Sequence, residues 1–374
     1  MKPILYQAGE TAFESNGIGI LNYAILCDAI QELNGQYELE MQYPVAGIHF
    51  ADIALQCRLK AKVDPVSNLQ LFEIYRITKP MGGVITVYAR HIAYNQRGIT
   101  ISPFTAENCQ EALAGLKANA SVDCPFEYWT DKTTEGTMSL AVPTTVWTQL
   151  GSSEGCILDV YGGEYEFDNF AVRLWERRGE NRGVSIRYGK NLTSLQQDAN
   201  CAEVYTGVHP YWADSDGNLV ELPGKVMRLL GTYPTERIMV LDLSDEFEEA
   251  PTQQQLSART SQYISEHNIG VPVVSWTIEF VQLEQTEEYR GKALLELVLL
   301  GDTVSVEFAQ MGVRASSRAV AVRYDSIRER YRSITLGNTR PSIINSIVSH
   351  AQTFRDLSKR LHYMEILGKV QNVT

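Results

Sequence analysis

The run from Gly151 to Asn191, GSSEGCILDVYGGEYEFDNFAVRLWERRGENRGVSIRYGKN, decides how the chain is read. In its second half Phe170, Val172 and Leu174 alternate with Ala171 and Arg173, and Val184, Ile186 and Tyr188 alternate further on. Alternation with a period of two marks half-buried strands, and the turn formers between them, Arg178-Gly179-Glu180-Asn181-Arg182-Gly183, predict a β-hairpin. The first half crowds Glu164, Glu166 and Asp168 beside Gly162-Gly163, with Asp159 just upstream.

Such a crowd of carboxylates raises acid/base chemistry or a cation site. Two catalytic carboxylates must face one another across a substrate, and a Ca²⁺ loop needs oxygens at D-x-D-x-D-G spacing; neither spacing is present. Alternation along Glu164-Tyr165-Glu166-Phe167-Asp168 instead predicts a strand with an aromatic face and an acidic face, the acids toward solvent. Arg173, Arg177, Arg178, Arg182 and Arg187 follow closely as possible ion partners.

Several groups within this run form a signature: Glu154-Gly155, Asp159, Tyr161-Gly162-Gly163-Glu164, Asp168-Asn169 and Arg187-Tyr188-Gly189-Lys190-Asn191. In that order they resemble the prophage tail "endopeptidase" family of minor structural proteins, the siphophage counterparts of the T-even baseplate hub protein. Gly35-Gln36-Tyr37-Glu38-Leu39, Tyr88-Ala89-Arg90-His91-Ile92, Gly301-Asp302-Thr303-Val304 and Glu329-Arg330-Tyr331 agree with it. The resemblance implies a mainly β fold with α+β insertions: two similar antiparallel β-barrel modules of tail-tube type plus two smaller domains, as in a phage baseplate hub. Three such subunits would close a ring of pseudo-sixfold symmetry.

Outward from this stretch, 374 residues exceed one ordinary core. A hydrophobic share of 44% with 21% charged residues is that of a globular protein. A formal charge of −12 argues against general affinity for the outside of nucleic acid, which is sought in a basic patch. No apolar run of membrane-spanning length occurs.

Residues 1–100 read as a first β-barrel module. Tyr37, Leu39, Met41, Tyr43 and Val45 alternate with Glu38, Glu40 and Gln42 until Pro44, and Leu71–Ile77 and Val84–Tyr94 are joined by Lys79-Pro80-Met81-Gly82-Gly83. Residues 101–165 read as a small mixed α/β domain, with a helix opening at Thr105 or Ala106 and a strand around Phe126, Tyr128 and Trp129. The second barrel module is split between 166–205 and 292–340. VYARHIAYNQRGITI from Val87 echoes AVRYDSIRERYRSITL from Ala321, as two copies of one module would. Residues 206–291 form an inserted α+β domain. Thr252 and Gln255 have capping-box spacing before a helix that ends near Asn268-Ile269-Gly270, and Val273 to Leu283 reads as a strand.

Residues 341–374 form a C-terminal helical segment, with Ile343, Ile344, Ile347, Val348, Phe354, Leu357, Leu361 and Met364 near helical spacing. It either covers its own barrel or seeks identical helices about a threefold axis.

Chemistry is sparse in this pattern. Cys27, Cys57, Cys109, Cys124, Cys156 and Cys201 form no C-x-x-C pair, and the six histidines form no H-E-x-x-H. No Cys/His pair with supporting context, G-x-S-x-G or S-x-x-K motif is present, so no catalytic, cofactor-binding or metal residues are assigned and no cofactor is expected. The assigned residues are structural: Gly155, Asp159, Gly162, Gly163, Glu164, Asp168, Asn169, Arg187, Tyr188, Gly189, Lys190 and Asn191.

The expected function is a non-enzymatic hub in the virion, a homotrimeric ring joining the tail tube to the distal tail. Its partners would be tail-tube or distal tail, tape measure and other tail-tip proteins, with DNA only in passage and assembly in the bacterial host cytoplasm. The alternative is a tail peptidase cutting peptidoglycan, as the family's name suggests. The ring lumen is expected to be neutral or acidic, because a basic wall would hold the phosphates of passing DNA. The arginine-rich run Arg173–Arg187 is expected to face protein neighbours.

Overall fold

The computed structural model describes residues 1–153, 155–188, 190–200, 204–214, 218–229, 235–247, 249–267, 269–270, 273–280, 297–308 and 313–337. The expected C-terminal helix, the end of the strand expected to reach Leu283, Gly189 and Cys201 lie outside them. The chain divides into two compact units, one of residues 1–196 and 276–374, the other of residues 197–275.

The first unit opens with seven strands: β1 (Ile4–Tyr6), β2 (Gly19–Ile20), β3 (Leu26–Glu32), β4 (Tyr37–Pro44), β5 (Arg58–Ala61), β6 (Gln70–Thr78) and β7 (Val84–His91). They pair antiparallel in the order β2-β1-β5-β6-β7-β4-β3. The period-two pattern works as read: Tyr37, Leu39, Met41 and Tyr43 are buried, while Glu38, Glu40 and Gln42 on the other face are partly exposed. With Leu5, Leu59, Phe72, Ile74, Ile85 and Val87 they make a first hydrophobic core.

A second core follows, built from β8 (Thr100–Ile101), β9 (Phe104–Asn108), α1 (Cys109–Ala118), β10 (Glu127–Thr130), β11 (Glu135–Leu140), β12 (Thr144–Thr145), α2 (Val146–Gly151), α3 (Ile157–Tyr161), β13 (Glu164–Asp168) and β14 (Ala171–Trp175). The helix expected from Thr105 starts later. Residues 104–108 pair with β11 as a strand, and the Asn108 side chain accepts the Glu111 N–H at 2.9 Å, capping α1. Cys109, Ala112, Leu113 and Leu116 form its buried stripe.

The predicted hairpin is corrected here. The two runs are strands, but they do not pair: β14 lies between β13 and β10, whereas β15 (Ser185–Arg187) runs parallel to a strand much later in the chain. Alternation fixes which face of a strand is buried; it carries no information about the neighbour. The residues read as a tight turn form a crossing between the second core and a third.

After β15 and β16 (Leu192–Asn200), the second unit contains β17 (Gly207–Ala213), β18 (Leu219–Glu221), β19 (Met227–Arg228), β20 (Ile238–Asp242) and α4 (Gln253–Glu266). β17 pairs with all three other strands, and Val208, Trp212, Leu241, Leu243 and Leu256 of α4 form its core. The capping box at α4 is present in full: Thr252 Oγ1 accepts from Gln255 N, and Gln255 Oε1 accepts from Thr252 N.

The first unit resumes with β21 (Val273–Phe280), β22 (Thr303–Phe308), β23 (Val313–Asp325) and β24 (Arg330–Gly337). Val184, Ile186, Ile278, Val304, Val306, Val322, Tyr324, Ile334 and Leu336 make the third core. β23 welds the two halves. Its start pairs with β22 and its end pairs with β3, Asp325 opposite Asp28, so one sheet runs on through both cores from β2 to β16. The echo falls on β7 and β23, but its Ile-Thr ends differ in setting. Ile99-Thr100 follows a 3-10 segment, Ile92–Gly98, while Ile334-Thr335 lies within β24. The fold is mainly β and largely antiparallel, as expected.

Candidate functional site

Five of the signature residues, Gly162, Gly163, Glu164, Asp168 and Asn169, lie along β13 and its ends, where the cores of the first unit meet. α3 stops at Gly162 (φ 65°), and Gly163 (φ 106°) turns the chain into β13. A Cβ at Gly162 would meet nothing within 4 Å, whereas at Gly163 it would lie 2.7 Å from the Trp175 carbonyl oxygen and 2.9 Å from Leu174 Cδ1. Only the second glycine is required both by its backbone angle and by close approach.

Glu164 then enters the interior, contrary to the solvent-facing position expected of it. It is 9% exposed. Its Oε1 and Oε2 accept from the two terminal nitrogens of Arg318 on β23, at 2.6 and 2.8 Å, and Oε2 also accepts the Arg178 N–H at 2.7 Å. Arg318 further donates to the carbonyls of Gly301 and Arg178 at 3.1 and 2.8 Å. This bidentate pair, with further hydrogen bonds on both partners, is the form in which a buried ion pair is tolerable. Alternation predicts Glu164 on the polar face, and that holds; but at Glu164 this face meets Arg318 of β23 and the β14–β15 crossing instead of water, while Glu166 and Asp168 stay partly exposed.

The crossing from β14 to β15 is held on the same side. Arg178 donates to the Tyr165 carbonyl at 2.9 Å, and burial pulls its guanidinium below the usual arginine range. Gly179 (φ 78°) touches Gly301 (φ 93°) so closely that an added Cβ would lie 2.1 Å from the Gly301 carbonyl carbon. Asp302, 1% exposed, accepts from Glu180 N, Arg182 Nε and Leu299 N at 2.7, 2.9 and 2.8 Å.

At the far end of β13, Asp168 and Asn169 reach the first core. Asn169 (φ 52°) accepts from Leu71 N at 2.8 Å, donates to the Leu69 carbonyl at 3.0 Å, and sends its N–H to Gln70 Oε1 at 2.9 Å. Gln70 donates to Asp168 Oδ1 at 2.8 Å. Behind it His91 is fully buried: Nδ1 accepts the Ala93 N–H at 3.2 Å, which leaves Nε2 to donate to Gln70 Oε1 at 3.0 Å. Those partners require the neutral Nε2–H tautomer, and burial lowers the His91 pKa to about 3. From the β3–β4 turn, Asn34 donates to the Gly163 carbonyl at 2.9 Å and accepts from Tyr165 N at 2.8 Å.

The other signature residues serve local turns. Asp159 accepts from Gly155 N at 2.7 Å. Asn191, buried, accepts from Arg187 N at 2.9 Å, and Arg187 pairs with Glu307 at 3.3 Å. Tyr188 is exposed, its ring 4.8 Å from that of Phe308. Glu166 accepts from Trp175 Nε1 at 2.6 Å and pairs with Arg173, which also pairs with Asp168. Arg173, Arg178, Arg182 and Arg187 are thus engaged within the chain, Arg173 with the acids of β13 that its nearness suggested.

The arrangement is a lock: each carboxylate of β13 is committed to a donor of the chain itself. Among the described residues no group of His, Cys, Asp or Glu is placed to hold a metal ion. A nearby pocket of about 40 Å³ is lined by Trp147, Leu150, Leu158, Tyr165 and Phe167. The lock's other half, Asn34, Gln70, His91 and Arg318, carries no sequence signal of its own, apart from His91 lying in one of the agreeing segments.

A family model described as "Prophage endopeptidase tail" matches residues 180–347. The fold is that of prophage tail proteins. The prophage tail protein gp18 from Listeria monocytogenes EGD-e superposes with a TM-score of 0.58 at 16% identity, over 94% of this chain and 99% of that one. The tail protein from Neisseria meningitidis MC58 has a TM-score of 0.56 at 11% identity, over 92% of this chain and 98% of its own. The tail protein of prophage MuSo2 from Shewanella oneidensis has a TM-score of 0.56 at 14% identity, with the same coverage. Among curated proteins no sequence matches the chain. The resemblance to the prophage tail family drawn from the signature is borne out by the family model and by this tail-protein fold.

Proposed function

We propose that the chain is a structural protein of a phage tail. Three copies close a ring that joins the tail tube to the distal tail, with a channel through which DNA leaves. The observation that carries this reading is the prophage tail fold, matched over nearly the whole chain, combined with a signature whose Glu164 and Asp168 are spent on holding cores together. Glu164 and Asp302, both buried, are held by donors of the chain itself, which ties its cores together, and a closed ring of identical subunits is the economical way to build a tube end. In this reading the two sheet halves of one chain present two similar surfaces, so threefold symmetry approaches the sixfold symmetry of a tube. The partners are then tail-tube, distal tail, tape measure and other tail-tip proteins. The particle assembles in the host cytoplasm and the chain ends in the virion.

The test is the particle itself. Tail tips imaged by electron microscopy are expected to contain three copies per ring, and the purified chain is expected to leave bacterial cell walls intact. A single copy per tail, or release of wall peptides that one point mutation abolishes, would overturn the reading.

A further inference from the structure

The chain contains two Asn-Gly pairs, Asn16-Gly17 and Asn34-Gly35, in contrasting settings. Asn-Gly is the pair most prone to deamidation, because glycine leaves its own peptide nitrogen unhindered beside the asparagine side chain. The deprotonated glycine nitrogen attacks Cγ, the new C–N bond expels Nδ2 as ammonia, and water opens the resulting ring at either carbonyl. The products are aspartate and isoaspartate, with water consumed, ammonia released and no redox change.

Asn16 is exposed, in the segment between β1 and β2, where the Gly17 N–H donates only to the exposed Ser15 hydroxyl at 3.1 Å. At Asn34 both reacting partners are occupied. The Gly35 N–H donates to the Glu32 carbonyl at 3.1 Å, and the carboxamide is drawn off by Gly163 and Tyr165 at 2.9 and 2.8 Å. We propose that Asn34 is a gated deamidation site. It is protected while the β3–β4 turn is docked on β13, reactive when that contact opens, and unable to redock once converted.

The last part follows from donor and acceptor counting. Aspartate at this position has no N–H for the Gly163 carbonyl and sets a carboxylate oxygen against it, leaving two acceptors face to face. One chemical event would therefore make a transient opening permanent, and ageing would act on the joint between the first and second cores.

The experiment needs only the full chain and its internal reference. Incubated at mildly alkaline pH and digested for mass spectrometry, native protein is expected to convert Asn34 at least about tenfold more slowly than Asn16, since reaction requires local opening. In denaturing urea the two rates should converge. Equal rates in the native protein would overturn the gate, and so would an Asn34 rate in urea as slow as in native buffer. Asn34→Asp tests the consequence: its urea midpoint should fall below that of Asn16→Asp, whereas equal midpoints would refute the loss of docking.

Discussion

At the level of single residues the two glycines of the signature separate two physical causes. Gly162 and Gly163 both have positive φ, but only Gly163 faces a wall, the Trp175 carbonyl and Leu174. Gly162→Ala is expected to cost about 2 kcal/mol, the backbone term alone, and Gly163→Val about 3 kcal/mol or more, read as a shift in urea midpoint. Equal losses would mean that packing at Gly163 is slack. Glu164 gives the second case. Glu164→Gln keeps one acceptor for Arg318 but removes the charge and sets an NH2 against the other guanidinium nitrogen, so it is expected to cost about 3 kcal/mol. Replacing both partners by apolar residues should recover part of that loss, and a double-mutant cycle measures it. The sequence shows the glycines and the acid plainly, because glycine and charge are visible residue by residue. It does not show Arg318, since nothing local tells one arginine of a strand from its neighbours.

Single elements were legible wherever their cause is local. The capping box at Thr252 and Gln255, the alternation of β4 and the Lys79–Gly83 connection all appear where the residues place them. Thr252→Ala removes the acceptor for Gln255 N and is expected to destabilise the second unit by about 1 kcal/mol; thermal unfolding of that unit, followed apart from the first, is the check. The hairpin of β14 and β15 failed because pairing is a tertiary choice. Phe170 and Val184 announce strands, yet the partners are fixed by remote groups: Asp302 taking the N–H of Glu180 and the side chain of Arg182, and Gly301 lying against Gly179. The start of α1 was displaced for a similar reason, since β11 recruits residues 104–108 into a strand before Asn108 can begin the helix.

At the scale of the whole molecule, the joint makes acid stability depend on a residue that never touches solvent. His91 is held neutral, its Nδ1 accepting from Ala93 and its Nε2 donating to Gln70, whose amide in turn holds Asp168 and Asn169. A histidine whose folded pKa is about 3, against an ordinary 6.5, binds its proton more readily in the unfolded chain. Its contribution is therefore complete above pH 6.5 and drains away below it, at about 1.4 kcal/mol per pH unit until the folded pKa is reached. Protonation in the folded state would also aim Nδ1–H at the Ala93 N–H, donor against donor, so acid attacks the link between the first and second cores directly. Urea unfolding at steps from pH 7 to pH 4 should show this slope in the native chain. His91→Gln, which keeps a side-chain acceptor but cannot titrate, should start less stable at pH 7 and lose stability less steeply. If both proteins fall with the same slope, the acid sensitivity lies in other groups and the buried histidine is not what ties stability to pH.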